Sequence, residues 1–346
     1  MIFYVKSLDE ENIEENIINL INIATKYDDI ILDFSKMYKV RSFEMLLFLI
    51  NIIQLKQKGK NITVEMNSIG EQAHGAQYAK NMKLCDAIKD PSSITGYCSD
   101  NFSTITRVDY DFLYSISSKG CDWRTGLIEY SEKLSNILIK DNDILMSLLS
   151  YCIREIIRNT LEHNFLYQKG YAGQLCNVYI AAQNHYKQKK IELVFADNGV
   201  GIKRTLEDSG FSVKNSNDSN FLKIALKPGV SSQSNVSKRT QDLNESQWNN
   251  SGFGLYMTSE IMKKIGNFKI YSYNGGLKVD NTGIHDIAKD GLYIPGTIIK
   301  LEVDSSTRLE QNSKDVINEL VNKGESMAQE DKSAIKTASK MSKMLY

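Results

Sequence analysis

The spacing of apolar residues along this chain alternates between the period of a strand and the period of a helix, which predicts a mixed α/β protein. Near the N terminus, short apolar runs have the length of buried strands, and the longer segments between them repeat apolar residues at helical intervals. The predicted elements are a strand at 2–5, a helix at 11–27, a strand at 29–33, a helix at 42–56 and a strand at 61–65. We therefore predict an α/β domain over residues 1–95.

The rest of the chain continues this alternation with longer elements. They are predicted helices at 125–139 and around 149–157, a strand at 191–196, a helix at 255–265 and a strand at 298–303. Residues 96–305 are predicted to form a second domain, followed by a helical C-terminal tail at 306–346.

Composition narrows the class of protein. The chain has 346 residues, 42% of them hydrophobic, and a formal net charge of zero, so we expect real cores and no nucleic-acid partner. Five cysteines without C-x-x-C spacing predict reduced thiols rather than a disulfide framework or a zinc site. The longest apolar run, Met45–Ile53, is too short to cross a bilayer, and no signal peptide precedes the first strand. We expect a cytoplasmic protein without a membrane partner.

One helix carries the first candidate chemistry. Glu155, Asn159 and His163 are four residues apart and share one face, beside an apolar stripe that would hold the helix on a sheet. The amide oxygen of Asn159 is a suitable protein ligand for Mg²⁺, which keeps waters and substrate phosphates in its shell. Glu155, one turn away, could activate an attacking water or hydroxyl. The alternative is that Glu155 and Arg158 are solvated surface charges.

Glycines accompany polar side chains in three later segments. Asp197 ends the strand 191–196 and is followed by Gly199 and Gly201, a pattern that also fits a plain turn. Gly252, Gly254 and Leu255 open a helix, whose unpaired N–H groups suit a phosphate, although a glycine hinge has the same sequence. Gly296 and Thr297 begin the last strand, where threonine is also simply a good strand former.

Together these blocks resemble the N, G1, G2 and G3 boxes of the GHKL ATPases, the superfamily of gyrase and the histidine kinases. In this order, the matching segments are Glu155–His163, Asp197–Gly201, Gly252–Tyr256 and Gly296–Thr297. The resemblance implies a two-layer α/β sandwich of the GHKL (Bergerat) type that binds ATP and Mg²⁺. It implies that Asp197 accepts a hydrogen bond from the adenine amine, that Gly199 and Gly201 let the backbone approach the ligand, and that Thr297 reaches the adenine region.

The interval 203–251 corresponds in this superfamily to the ATP lid. It is rich in Ser and Asn, and the sequence predicts little apolar surface to anchor it until a ligand orders it. Its segment Lys227–Ser232 resembles the lid segment that reaches phosphates in related kinases. Lys238 and Arg239 could meet a γ-phosphate, although in a chain with 42 basic residues a solvated role is the commoner one.

The N-terminal order of elements resembles STAS domains, the fold of anti-sigma-factor antagonists, in which a phosphorylatable serine stands at a helix start. Ser42 has that position. The family's Asp-Ser-Ser-Gly pattern is absent from Val40–Glu44, so a simple N-cap role is the favoured interpretation of Ser42. His74 is interpreted as a surface or turn histidine.

The surroundings of the predicted pocket limit its function. About forty residues follow the last predicted strand, which leaves no room for the transducer domain of gyrase and its relatives, and residues 86–162 contain no histidine for autophosphorylation. Our leading hypothesis is a Mg-ATP-dependent regulatory protein with slow ATPase activity that switches a protein partner, or a second copy in a homodimer, through lid closure. The alternatives are a serine/threonine protein kinase of the anti-sigma type acting on a STAS-like protein, and a module that binds ATP without turnover.

Overall fold

The computed structural model describes most of the chain. The residues it covers are 1–66, 73–96, 98–118, 120, 122–168 (the backbone alone from 163), 177–213, 217–231, 251–289, 292–330, 334, 335, 337–339, 342 and 343. Within these residues the fold is mixed α/β, as the sequence predicts. None of the helices there combines the length and the apolarity that a bilayer crossing requires.

The N-terminal residues build a small parallel sheet with helices around it. Strands β1, β3 and β5 pair side by side in parallel, and β2 pairs with β4. The elements are β1 (Ile2–Tyr4), β2 (Ser7–Leu8), α1 (Ile13–Ala24), β3 (Asp29–Asp33), β4 (Lys39–Val40), α2 (Ser42–Gln57), β5 (Asn61–Glu65), α3 (His74–Asn81) and α4 (Leu84–Lys89). The predicted strands β3 and β5 have the predicted bounds.

A seven-stranded sheet dominates the rest of the chain, and all its neighbouring strands are antiparallel. Its spatial order is β11 (Gly283–Asp286), β10 (Gly275–Asp280), β9 (Gly266–Tyr273), β12 (Ile294–Asp304), β8 (Lys190–Asp197), β7 (Val178–His185) and β6 (Phe102–Val108). The helices are α5 (Tyr110–Ile116), α6 (Trp123–Leu138), α7 (Asp143–Gln168), α8 (Gly201–Asp208), α9 (Asp218–Ala225), α10 (Gly254–Ile265) and α11 (Ser313–Glu330), and a 3₁₀ turn spans Tyr186–Gln188.

Both faces of the large sheet are buried. On the front face, Ile180, Leu193 and Leu301 pack against α6, α7 and α10. On the back face, Val194 and Ile298 pack against the N-terminal elements. Because successive side chains of a strand point to opposite faces, burial on both sides explains the unbroken apolar run 193–196 in β8.

Helix α2 joins the two parts of the chain. Its residues from Met45 to Ile50 are all fully buried, and the helix contacts β7, β8 and β12 as well as β5 and α1. A helix that is apolar all round requires neighbours on every side, and the back face of the large sheet supplies them. The sequence predicted residues 1–95 as a unit of their own, whereas their core is continuous with the back face of this sheet.

Three segments differ from the prediction. Strand β6 and helix α5, which sequence patterns did not predict, extend the large sheet and cover its edge. The interval 203–251 was expected to offer little apolar surface for anchoring, but α8 extends into its described part and α9 forms there, with Leu206, Phe221 and Val230 in a small apolar cluster. Within the C-terminal tail, α11 is packed rather than peripheral, since Val316, Ile317 and Leu320 belong to the core under the front face.

Candidate functional site

A cavity opens at the front face, where α7, α8, α9 and α10 meet the ends of β8 and β12. It encloses about 810 Å³, open solvent at its mouth included. Six of the sequence-predicted binding residues line it, namely Asn159, Asp197, Gly199, Gly201, Leu255 and Thr297. Residues that are far apart in the chain therefore converge on one space, which we call the front cavity.

Asp197 stands at the end of β8, on the wall of the front cavity. Its Oδ1 accepts a hydrogen bond from the Gly199 N–H at 2.8 Å, and Thr297 lies opposite it in the register with β12. Burial raises the pKa of Asp197 to about 6, and the backbone N–H groups of Gly199 and Thr297 only partly offset that rise. A carboxylate desolvated in this way is a strong acceptor for a donor group on a ligand.

The start of β12 is shaped to fit against Asp197. Gly296 has φ +91°, and a Cβ at this position would lie 2.1 Å from the backbone oxygen of Asp197. The register between β9 and β12 shifts between Ile294 and Thr297, and the Ser272 hydroxyl donates to the Gly296 carbonyl at 2.7 Å. Only glycine combines this dihedral with this approach, so Gly296 lets Thr297 reach the front cavity.

Helix α7 presents Asn159 to the front cavity but turns Glu155 away from it. Glu155 is fully buried, and its Oε2 accepts a hydrogen bond from Arg158 Nη2 at 2.6 Å. Arg158 is also fully buried, with Nε 3.8 Å from Glu162 Oε1, and Arg154 Nη2 lies 3.9 Å from Glu155 Oε1. The alternative of solvated surface charges is therefore wrong for Glu155 and Arg158, which form a buried ion pair.

Gly254 begins α10 directly beside these side chains. A Cβ at this position would lie 2.5 Å from Asn159 Nδ2 and 2.8 Å from Glu155 Oε2. Glu155 Oε2 is thus close to the first residue of α10, and Glu155 itself does not line the front cavity. The backbone of Gly254 sets how closely α10 approaches α7, while the next residue, Leu255, lines the front cavity.

Gly252, a further predicted residue, does not line the front cavity, and the side chains of three others are outside the described residues. Gly252 has φ +70° and contacts Val230, whose side chain lines the front cavity, but Gly252 itself does not line it. His163 belongs to α7, and its side chain lies outside the described residues. Lys238 and Arg239 also lie outside the described residues, together with the rest of 232–250.

Part of the lining was not predicted from the sequence. Apolar and hydroxyl residues of α8 and α9 close the front cavity on one side: Ile202, Thr205, Leu206 and Ala225. Val230 and Ser231 also line it, and they belong to the segment Lys227–Ser232, which the resemblance placed near the phosphates. A signal was available, because Ile202 and Leu206 are four residues apart and share one face of a helix. This helical pattern was overlooked because most residues of 203–251 are polar.

Ser42 lies far from the front cavity. It begins α2 behind the back face of the sheet, is only 2% exposed, and shares a hydrogen bond with the Tyr78 hydroxyl. The Tyr78 hydroxyl in turn donates to Gln183 Oε1 at 2.6 Å, which fixes it against β7. In this structure the Ser42 hydroxyl is closed to a kinase and faces away from the front cavity.

Comparisons with known proteins identify no relative. No family model, no curated protein and no solved structure matches this chain.

Proposed function

We propose that the front cavity binds an adenine nucleotide. The observation that carries the proposal is that Asn159, Asp197, Gly199, Gly201, Leu255 and Thr297, all predicted to contact nucleotide, line this one cavity. Its lining combines apolar side chains with a few convergent polar groups, the pattern of small-molecule and cofactor sites. The GHKL resemblance of these segments supports the same ligand, and the STAS-like interpretation of residues 1–95 remains part of the proposal.

The polar groups divide the front cavity into two ends. Asp197 and Thr297 suit the base, because a desolvated carboxylate accepts a hydrogen bond from the exocyclic amine of adenine. Asn159 and the first turn of α10 suit the phosphates, because the N–H groups and the dipole at a helix N terminus favour negative charge. Asn159 would also supply the amide oxygen for a Mg²⁺ ion that arrives with the phosphates. That ion would neutralise phosphate charge when bound.

Slow turnover is the activity that we propose for Glu155. It is the carboxylate next to Asn159 on α7, but it is held by Arg158 behind Gly254. To act as a base, Glu155 must first break its ion pair with Arg158 and then accept a proton from a water at the phosphates. This rearrangement limits the rate of hydrolysis. The same ion pair favours a second candidate, a protein that binds ATP without hydrolysing it.

Contacts beyond the front cavity support a regulatory role. Val230 and Ser231 line it, and the neighbouring Gly229 accepts a hydrogen bond from the Ile335 N–H at 2.8 Å. A ligand that shifts 230–231 would therefore act directly on the C-terminal segment. We propose that nucleotide occupancy changes the contact of this protein with a protein partner through that connection.

Glu155→Gln separates turnover from binding. With γ-labelled ATP and Mg²⁺, we expect the wild-type protein to release labelled phosphate slowly and the variant to release it roughly a hundredfold more slowly, since a general base contributes on that order. ATP affinity should change little, because glutamine keeps the shape of the side chain. The exposed Glu207→Gln is the matched control, with wild-type rates.

Each outcome of the labelling assigns one activity. Label transferred to protein would favour the kinase, and bound but intact ATP would favour the binding module. Equal rates for the wild-type protein and Glu155→Gln would remove Glu155 from the role of base.

Gly254→Ala tests the phosphate end. The added methyl group must displace the Asn159 amide, so we expect ATP affinity to fall by roughly tenfold to a hundredfold, as for other small displacements of positioning groups. Isothermal titration calorimetry measures this. Gly59→Ala is the control, because φ +88° makes it strained while a Cβ there meets no atom within 4 Å. If both variants bind ATP as the wild-type protein does, the contact of Gly254 with Asn159 has no part in binding.

A further inference from the structure

A second cavity lies on the opposite side of the large sheet, between the back face and the N-terminal helices. It encloses about 690 Å³, open solvent included, and we call it the back-face cavity. Its apolar walls are Ile13 and Phe43 from the N-terminal part, Tyr271 from β9, and Leu292. The rings of Phe43 and Tyr271 are in contact, with centroids 5.0 Å apart.

The charged groups around the back-face cavity are unevenly paired. On the sheet side, Lys300 Nζ is 2.8 Å from Glu192 and Lys269 Nζ is 3.1 Å from Glu302, so these amines have carboxylate partners on the strands themselves. On the helix side, the cavity is lined by three carboxylates, Glu10, Glu14 and Glu44, and Lys289 is a third lysine in its lining. Glu10 Oε1 is 3.5 Å from Arg41 Nη1, whereas Glu44 makes no ion pair within 4 Å among the described residues. The buried group left without a counter-charge at hydrogen-bond distance is therefore Glu44.

Glu44 is the buried member of this set. It lies in the first turn of α2, is 3% exposed, and its Oε2 has no hydrogen-bond partner in the described part of the chain. The N terminus of a helix favours an acidic residue, but it does not account for a carboxylate oxygen that is buried and unpartnered. Such an atom is costly unless something donates to it, which indicates a ligand group at this point.

We propose that the back-face cavity binds a small organic cation, whose ammonium or guanidinium group pairs with Glu44 and whose apolar body lies on Phe43 and Tyr271. A cationic donor satisfies the buried oxygen and balances its charge at once. The aromatic rings beside the carboxylate add a favourable surface for the apolar body, while Lys300 Nζ already lies 5.9 Å from the centroid of the Phe43 ring. This site is separate from the front cavity, since Ile299 of β12 lines one and Lys300 of the same strand lines the other.

Binding of the cation is expected to strengthen as the pH rises through about 7. Burial raises the pKa of Glu44 to about 7, outweighing the opposite effect of Lys300, and only the ionised carboxylate attracts a cation. The other titratable groups around it are those of the lining residues Glu10, Glu14, Lys269, Tyr271, Lys289 and Lys300, together with Glu192. Lys300 and Tyr271 do not titrate near 7, because carboxylate neighbours raise the pKa of Lys300 and burial raises that of Tyr271 to about 12. Below pH 7, cation binding should therefore release a proton from Glu44.

Phenethylammonium is a suitable probe, because it joins an ammonium group to one aromatic ring. Titration calorimetry on the full chain at pH 7.5 should show saturable binding, and phenylacetate, with the same ring and the opposite charge, should not bind. Glu44→Gln should weaken binding by at least about tenfold, in line with the loss of a hydrogen bond to a charged group. The exposed Glu15→Gln on α1 is the matched control. Asp197→Asn should bind the probe as the wild-type protein does, which excludes the front cavity.

Proton release gives a second readout that is independent of affinity. At pH 6.5, the heat of binding should vary with the ionisation enthalpy of the buffer for the wild-type protein and not for Glu44→Gln. The proposal is overturned if the probe does not bind, if Glu44→Gln binds it equally well, or if Asp197→Asn abolishes binding.

Discussion

Asp197→Asn is expected to weaken adenine-nucleotide binding by roughly tenfold to a hundredfold, the loss that accompanies removal of a hydrogen bond to a charged group. Oδ1 of Asp197 is engaged by the Gly199 N–H. An asparagine that keeps this hydrogen bond turns its amide N–H₂ toward the ligand, where it meets the adenine amine donor to donor. Titration calorimetry with ADP or ATP measures the change.

The same substitution should stabilise the unliganded protein. The folded pKa of Asp197 is about 6 against an ordinary value of 3.8, so ionisation opposes folding. That penalty grows between about pH 4 and pH 6 and is complete above pH 6. At pH 7.5 the variant should therefore gain about 1–3 kcal/mol in the free energy of unfolding, from 1.36 kcal/mol per pKa unit, and at pH 4 the gain should disappear. Urea unfolding at the two pH values tests this.

Purine riboside triphosphate provides the matched ligand control. It lacks the exocyclic amine, so it should bind the wild-type protein more weakly than ATP does and should lose little further affinity in Asp197→Asn. Equal losses for both nucleotides would show that Asp197 does not read the amine. Unchanged ATP affinity in the variant would falsify the proposed orientation of the base.

Arg158→Met is expected to cost about 3–5 kcal/mol of stability, because it leaves the carboxylate of Glu155 buried without its partner. Both side chains are fully buried and their charged atoms are 2.6 Å apart. Methionine fills much of the volume of the arginine stem. The loss of stability therefore reflects the unpaired charge of Glu155 rather than an empty cavity. Urea unfolding of the purified variant at pH 7.5 measures it.

The double variant Glu155→Gln/Arg158→Met isolates the ion pair. Once both charges are removed, neither member of the pair is buried without the other. Arg154, 3% exposed, stays charged beside residue 155, and we expect at least half of the lost stability to return. If the two single effects simply add, the stability does not depend on the pairing of these residues. Glu155→Gln alone should be less destabilising than Arg158→Met, because a neutral amide can still accept a hydrogen bond from Arg158.

Much of the fold could be predicted from local patterns. The strands Asp29–Asp33 and Asn61–Glu65 have the predicted bounds, and α2, α6 and α10 differ from their predicted ranges by at most two residues. These segments have a clear period and are closed by turn or capping residues, so local sequence suffices. The weak patterns failed. The strand Phe102–Val108 mixes Thr, Ser and Arg with apolar residues, and only pairing with β7 makes it a strand.

The candidate site residues, too, could be predicted only as far as local patterns reach. Asp197 and Asn159 were predicted because their residue types and their positions on a strand end and a helix face imply chemistry. Glu155 has the same periodicity as Asn159, yet it lies behind Gly254 in an ion pair with Arg158. The helical period shows roughly which side of the helix a residue lies on. It does not show which neighbouring element packs against that side chain.

The sequence by itself determined the types of the strongly periodic elements, their apolar faces and the short list of polar residues at strand ends and helix starts, because these depend on interactions between residues close in the chain. Only the tertiary structure decided which faces meet. It buried α2 against the back of the large sheet, brought Asn159, Asp197 and Thr297 to one cavity, and left Glu44 unpartnered in another. Such contacts join residues that are tens to more than a hundred positions apart, and the free energy that selects them comes from burial, which no local pattern contains.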